Sequence, residues 1–180
     1  MMLSLTEAEM LEQWKLLRHL LPLRADAPGV TRSYGIDIDA ICRTEMRRWY
    51  LRQLDTAPAH LVPVSDLASR VTLTADGDNA ARLTLPDDVR RVLAVRCDSW
   101  HADAVIAAPG SDDERRQRSP YTRSGAYSPV AVTDGRLMTL YGVTPGTHLT
   151  SLRCVCEPAQ HMYIFDESLL SSIDNDNLHP

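Results

Sequence analysis

Arg82-Leu-Thr-Leu-Pro-Asp-Asp-Val-Arg-Arg-Val-Leu-Ala-Val-Arg-Cys-Asp-Ser-Trp100 is the stretch on which the fold turns. It reads as a strand ending in Leu85, a corner at Pro86-Asp87-Asp88, and a second strand from about Val92 to Cys97. Strict alternation puts Val92, Ala94 and Arg96 on one face, and Leu93, Val95 and Cys97 on the other. Pro86 cannot donate a ladder hydrogen bond, so it belongs at a strand end. Asp87 and Asp88 are expected to accept from free backbone amides at the corner.

Upstream the pattern is helical. Thr6 and Glu9 make a Thr-x-x-Glu capping box. Met10, Trp14, Leu17 and Leu21 then recur at helical spacing as a buried stripe. Pro22 ends this helix, and Leu23 to Gly35, with Pro28-Gly29, is loop. Asp37 caps a second helix running to about Leu54, with Ile38, Ile41, Cys42, Met46 and Trp49 as its apolar face. Arg43, Arg47, Arg48 and Arg52 group along another side, either a solvated face or a contact for a polyanion or a subunit. Pro63 to Ala68 is expected to add one short helical turn.

Downstream the period changes to two. Val71–Thr74 and Ala81–Leu85 form a hairpin across Ala75–Asn79, and Ala102 to Ala107 is another strand. Asp103 favours an edge or a half-exposed position for that strand. Pro129–Val132 and Arg136–Tyr141 flank an Asp134-Gly135 turn, and His148 to Cys156 is the last strand. Asp166 caps a short helical segment, Glu167 to Ile173. Helices grouped before strands predict an α+β fold: N-terminal helices, an antiparallel β-sandwich or small barrel, and a short C-terminal helical segment. The expected parts are a helical region 1–69, a β region 70–157 with a long loop at 109–128, and a C-terminal segment with a polar tail at 158–180.

That loop has no periodicity and is too polar to form a core. It carries Asp112-Asp113-Glu114, then Arg115-Arg116-Gln117-Arg118, then Tyr121, Arg123 and Tyr127. A connection this long in a compact domain is usually either functional or a disordered surface loop with no partner. The expectation is that it projects from the β region and orders against a neighbouring subunit or partner through Arg115, Arg116, Arg118, Tyr121 and Arg123.

The chain of 180 residues has 44% hydrophobic and 24% charged residues and a net charge of −5, ordinary for a globular protein. That charge argues against a surface devoted to nucleic acid. Lys15 is the only lysine. Cys42, Cys97, Cys154 and Cys156 lack metal-ligand spacing, and the Cys154-x-Cys156 side chains are expected on opposite faces. No signal region or apolar run of membrane length is present, which points to a reduced, cytoplasmic setting. His101 and Asp103 with Cys97 can be drawn as a metal site, and Cys154 with His148 as a nucleophilic pair, but neither has a supporting motif. No nucleophile elbow, phosphate loop or dinucleotide fingerprint occurs. The expectation is therefore no catalytic residue, no cofactor and no metal.

From Asp37 to Glu157 the chain resembles the head–tail connector (adaptor, or tail-tubular ring) proteins of tailed bacteriophages and prophages. The resemblance rests on Leu85-Pro-Asp-Asp-Val-Arg-Arg-Val-Leu-Ala-Val-Arg96, Trp100, Ser119-Pro-Tyr-Thr-Arg123, Ser128-Pro-Val-Ala-Val132 and Leu137-Met-Thr-Leu-Tyr141. It implies a non-enzymatic virion protein, assembled in the bacterial cytoplasm as a homo-oligomeric ring, often a dodecamer. Such a ring sits between portal and tail proteins and passes DNA without sequence-specific binding or membrane contact. The Arg43, Arg47, Arg48 and Arg52 face would then meet the channel or an interface. The rival reading is a small cytoplasmic protein- or ligand-binding module with no catalytic activity. A third is a hydrolase with an unrecognised site.

Overall fold

The structure is a computed structural model, and it describes residues 1–20, 37–77, 79–123, 125–159 and 162–175. The expected helix stop at Leu21-Pro22, the loop to Gly35 and the polar tail beyond Asn175 lie outside the described residues. The chain divides into two compact units, Met1–Pro63 with Pro158–Pro180, and Val64–Glu157.

The first unit contains β1 (Met2–Leu5), α1 (Glu7–Leu17) and α2 (Ile38–Thr56). A single turn at Ala59–Leu61 follows, and the unit is completed by β10 (Tyr163–Asp166), a 3-10 turn at Glu167–Ser171 and α4 (Ser172–Asn175). The Thr6–Glu9 capping box forms: Glu9 N donates to Thr6 Oγ1 at 3.3 Å and Thr6 N to Glu9 Oε2 at 2.8 Å. Asp37 caps α2 through Ala40 N. Trp14 and Trp49 are each 1% exposed and meet edge to face at 6.0 Å. Trp49 also meets Phe165 edge to face at 5.5 Å. β1 and β10 pair antiparallel with Leu3 opposite Phe165. The Tyr50 hydroxyl accepts from Ile164 N at 3.0 Å and donates to Ile164 O at 3.1 Å, so it occupies the edge of β10 that β1 leaves open.

Two details of the helical reading are corrected. Ile38 and Ile41 are 59% and 49% exposed. The helical period carries the buried stripe through Cys42, Met46, Trp49, Tyr50 and Leu54, which leaves Ile41 on the far side. The four arginines also do not form one row. Arg43 and Arg47 lie one turn apart, as do Arg48 and Arg52, and the two rows are about 140° apart around the helix.

The second unit holds two sheets. β2 (Val64–Asp66), β9 (Leu149–Cys156) and β5 (Val89–Cys97) form an antiparallel sheet in the order β2-β9-β5. β3 (Thr74–Ala75), β4 (Ala80–Thr84), β8 (Leu137–Tyr141), β7 (Val130–Asp134) and β6 (Val105–Ala107) form the other, in the order β3-β4-β8-β7-β6. Leu83, Ala131, Met138 and Leu140 from the larger sheet share a core with Val95, Cys97, Leu152, Cys154 and Cys156 from the smaller.

The fold is thus α+β, but no closed barrel or sandwich is formed among the described residues. Pro63–Ala68 is not helical; it contributes β2. β6 pairs with β7 in parallel, because the long connection between them is a crossover and not a hairpin.

The face assignment on β5 is corrected by a bulge. Val92 lies opposite Cys154 and Ala94 opposite Arg153, so Leu93 is an extra residue. Val92 and Val95 therefore both turn toward the core, and Leu93 does not. Cys154 and Cys156 both face that core, as side chains two apart on a strand must, so the expected divergence is wrong. Asp87 and Asp88 pair with Arg136 and Arg70 instead of with backbone amides.

Trp49→Ala is predicted to lower the stability of the first unit by about 3–5 kcal/mol, the cost of emptying a packed aromatic site. Denaturant unfolding monitored by Trp14 fluorescence checks this. A loss below about 1 kcal/mol would contradict the packing described.

Candidate interaction surface

Val130, Ala131 and Val132 are all buried. Ala131 faces the shared core, while Val130 and Val132 join Tyr141, Ala80 and Ala107 in a second apolar cluster. Part of the 108–129 crossover lies against that second face, while Ala126 packs on the shared core. The crossover contains α3 (Asp112–Arg118), which packs on β7. Ser111 caps α3 by accepting from Glu114 N at 3.4 Å. The expected projecting loop is therefore corrected for residues 112–118, which are helical and fastened to their own sheet.

α3 has no apolar side chain, and its buried residues are Glu114 and Gln117. Glu114 Oε2 accepts from Gly110 N at 2.6 Å, and Oε1 accepts from the Tyr141 hydroxyl at 3.2 Å and from Arg118. Gln117 Nε2 donates to Ser128 O at 3.4 Å. A carboxylate can sit at a covered face only when its lone pairs are taken up. The Gly110 amide holds the Glu114 carboxyl below its ordinary value of 4.5, with Arg118 and Tyr141 acting in the same direction and burial opposing them.

The return of the crossover is also built in. Gly142 has φ +82, and a Cβ there would lie 2.5 Å from Gly125 O. Only glycine lets the two backbones approach so closely. The Trp100 indole donates to Gly142 O at 2.8 Å.

What this scaffold turns outward is a set of Tyr and Arg side chains together with Asp112 and Asp113. Tyr121 is 96% exposed and Tyr127 78% exposed. The Tyr127 ring stacks on His101 at 4.5 Å. Arg115, Arg116, Arg118 and Arg123 are exposed on the same segment. Arg115 pairs with the exposed Asp112 at 2.9 Å and Arg118 with Glu114, whereas Arg116 and Arg123 make no ion pair among the described residues. Arg115, Arg116, Arg118, Tyr121 and Arg123 are thus all exposed. The helical start of this segment escaped the periodicity reading, since no apolar residue marks α3; the available signal was Ser111-x-x-Glu114, a second capping signature.

In the first unit, Arg43 pairs with Glu7 at 3.3 Å. Arg43 and Arg47 line a shallow cleft of about 360 Å³ with Glu7, Thr44 and Tyr163. Arg48 and Arg52 are exposed on the other row.

The weaker chemical candidates do not assemble. His101 stacks on Tyr127, Asp103 pairs with Arg96 at 3.2 Å, and Cys97 is buried. Burial pushes the Cys97 and Cys154 thiols up to about 12, so neither supplies a thiolate at neutral pH. His148 is exposed while Cys154 is buried. Among the described residues no group of three His, Cys, Asp or Glu could hold a metal, and no helix is long and apolar enough to cross a membrane. A half-open cavity of about 430 Å³ lies between Ala68–Gly77 and Val143–Leu149, lined by small and apolar residues with Thr72, Thr144, Thr147 and His148. Neither a scan of the chain against protein-family models nor a comparison with curated proteins finds a match.

Glu114→Ala is predicted to free α3 without unfolding the sheets. Losing a buried, charge-assisted hydrogen-bond set costs about 1.5–3 kcal/mol, roughly ten- to hundredfold in local opening. Limited trypsinolysis at Arg115–Arg123 should accelerate by that factor. In the parent protein the same opening, read as loss of amide-exchange protection at Gly110, should come only with acid: a depressed carboxyl pKa gives stability that is complete above pH 4.5 and lost as pH falls through the lower folded value. Cleavage rates that do not differ between Glu114→Ala and parent would refute the latch.

Proposed function

We propose that this chain is a non-catalytic protein-interaction module whose contact surface is the crossover at 108–129. The observation that carries the reading is Tyr121, 96% exposed on a segment otherwise fastened to its sheet by Glu114 and Gln117. An aromatic ring left in water contributes nothing to folding. Tyr and Arg are enriched at the centres of protein interfaces, where a stiff ring and a planar fork of donors lose little entropy on binding.

The more specific form of this reading is a subunit of a phage head–tail connector. Its support is the resemblance carried by Leu85–Arg96 and the order of helices before strands. In that form copies meet head to tail in a ring, often of twelve, between portal and tail proteins. Heterologous surfaces then do the joining, and the crossover reaches a neighbour or the portal. The arginine rows on α2 face the channel or a neighbouring subunit, and DNA passes without sequence-specific contacts.

Native mass and particle images, with and without a candidate portal protein, separate the two forms. Closed rings or portal-bound copies support the connector; a monomer indifferent to the portal removes it and leaves the general module. For the module itself, a photo-crosslinking residue at position 121 is expected to give discrete protein adducts in expressing cells. The triple change Arg116→Ala, Tyr121→Ala and Arg123→Ala should abolish partner binding while each step alters stability by no more than about 0.5 kcal/mol, because these side chains are exposed. Crosslinking no stronger than from exposed Glu12 would contradict the reading. A rise in unfolding temperature with a small molecule, lost on changing Thr72 and Leu149 in the cavity, would shift it toward a ligand-binding module.

A further inference from the structure

Four strands of the second unit lie at sheet edges, and three of them are blunted. β2 is three residues long and ends in Asp66, and β3 has two residues. β5 carries Arg90, Arg91 and Arg96 and bulges at two of its own positions. Short length, charge and bulges are the usual means by which an edge refuses a further strand. β6 has no charge and no bulge, and Val105 and Ile106 are 49% and 40% exposed.

The register determines which main-chain groups point outward. Val105 N donates to Pro129 O, so Val105 and Ala107 make the ladder with β7. Ile106 therefore turns its N–H and C=O away from β7. Ala104, on the same side, reaches Val95 O, and Ala108 O closes a turn with Ser111 N. That leaves the Ile106 N–H and C=O and the Ala108 N–H without a backbone partner among the described residues. Arg116 and Arg123, which also lack a carboxylate, lie on the segment that leaves this strand.

We infer that β6 is a docking edge for an extended strand of a partner protein that alternates apolar and acidic residues. The partner's main chain bonds Ile106 and Ala108, its apolar residues lie beside Ile106 on one face, and its carboxylates, on the other face with Val105 and α3, meet Arg116 and Arg123. This rests on the reading of the chain as a protein-interaction module and names the partner's chemistry.

The probe is a synthetic peptide of roughly eight residues, a strand's length, alternating Val and Asp, with a Val–Lys peptide as control. Amide NMR of the whole protein is expected to show the Ile106 and Ala108 signals moving first, with the acidic peptide only. Ile106→Pro should abolish binding. The Ile106 N–H takes no part in the ladder, so proline is tolerated at this edge position, and an otherwise unchanged spectrum verifies the fold. Arg116→Glu with Arg123→Glu should weaken binding about three- to tenfold. No shift at millimolar peptide, binding that survives Ile106→Pro, or equal shifts with a thymidine oligonucleotide would each overturn the inference. Crosslinking from position 121 that persists in Ile106→Pro would show the edge inference failing while the module reading stands.

Discussion

A strand buried on both faces needs two covers. In β7 the main core covers Ala131, and Val130 and Val132 need a second layer. That layer is α3, a helix with no apolar side chain. It can do the work because Glu114 and Gln117 are buried with polar ends bonded to Gly110, Tyr141, Arg118 and Ser128. The exposed side chains of the crossover owe their position to this arrangement. A carboxylate under a polar helix, not an apolar stripe, sets where Arg116, Tyr121 and Arg123 stand.

Much of the architecture is legible in the residues because its signals are local. The Thr6–Glu9 box, the Asp37 cap, the Trp14 and Trp49 stripe and the Asp134-Gly135 turn each involve neighbours within a few positions, and each forms. What was missed depends on distant partners. β1 and β10 are four-residue strands that exist by pairing across most of the chain, and Tyr50 completes their edge from α2. The Leu93 bulge reverses the face of part of β5, and nothing in the alternation of that strand announces it. α3 defeats a search for apolar periodicity by having none.

The candidate surface was legible in part, for the same reason. Arginines and tyrosines without an apolar pattern indicate exposure, and Arg115, Arg116, Arg118, Tyr121 and Arg123 are exposed. Their order differs from the expectation of a loop that projects. The crossover does not wait for a partner to acquire its helix, since Ser111, Glu114 and Gly125 tie it to its own sheet. A surface already in place loses less conformational entropy on binding than a loop that must fold first. That favours an interaction module over a spacer, and it is compatible with a connector subunit, whose contacts would then be ready before assembly.

The central claim is that the crossover is pre-formed in the isolated chain. Amide hydrogen exchange of Gly110 and of Arg115 to Arg118, measured on the protein at concentrations where it is monomeric, tests it most directly. The account predicts slowed exchange at these amides, because each is bonded within α3 or to Glu114, and loss of that protection in Glu114→Ala. Exchange at the rate of an unstructured peptide in the parent protein would contradict it.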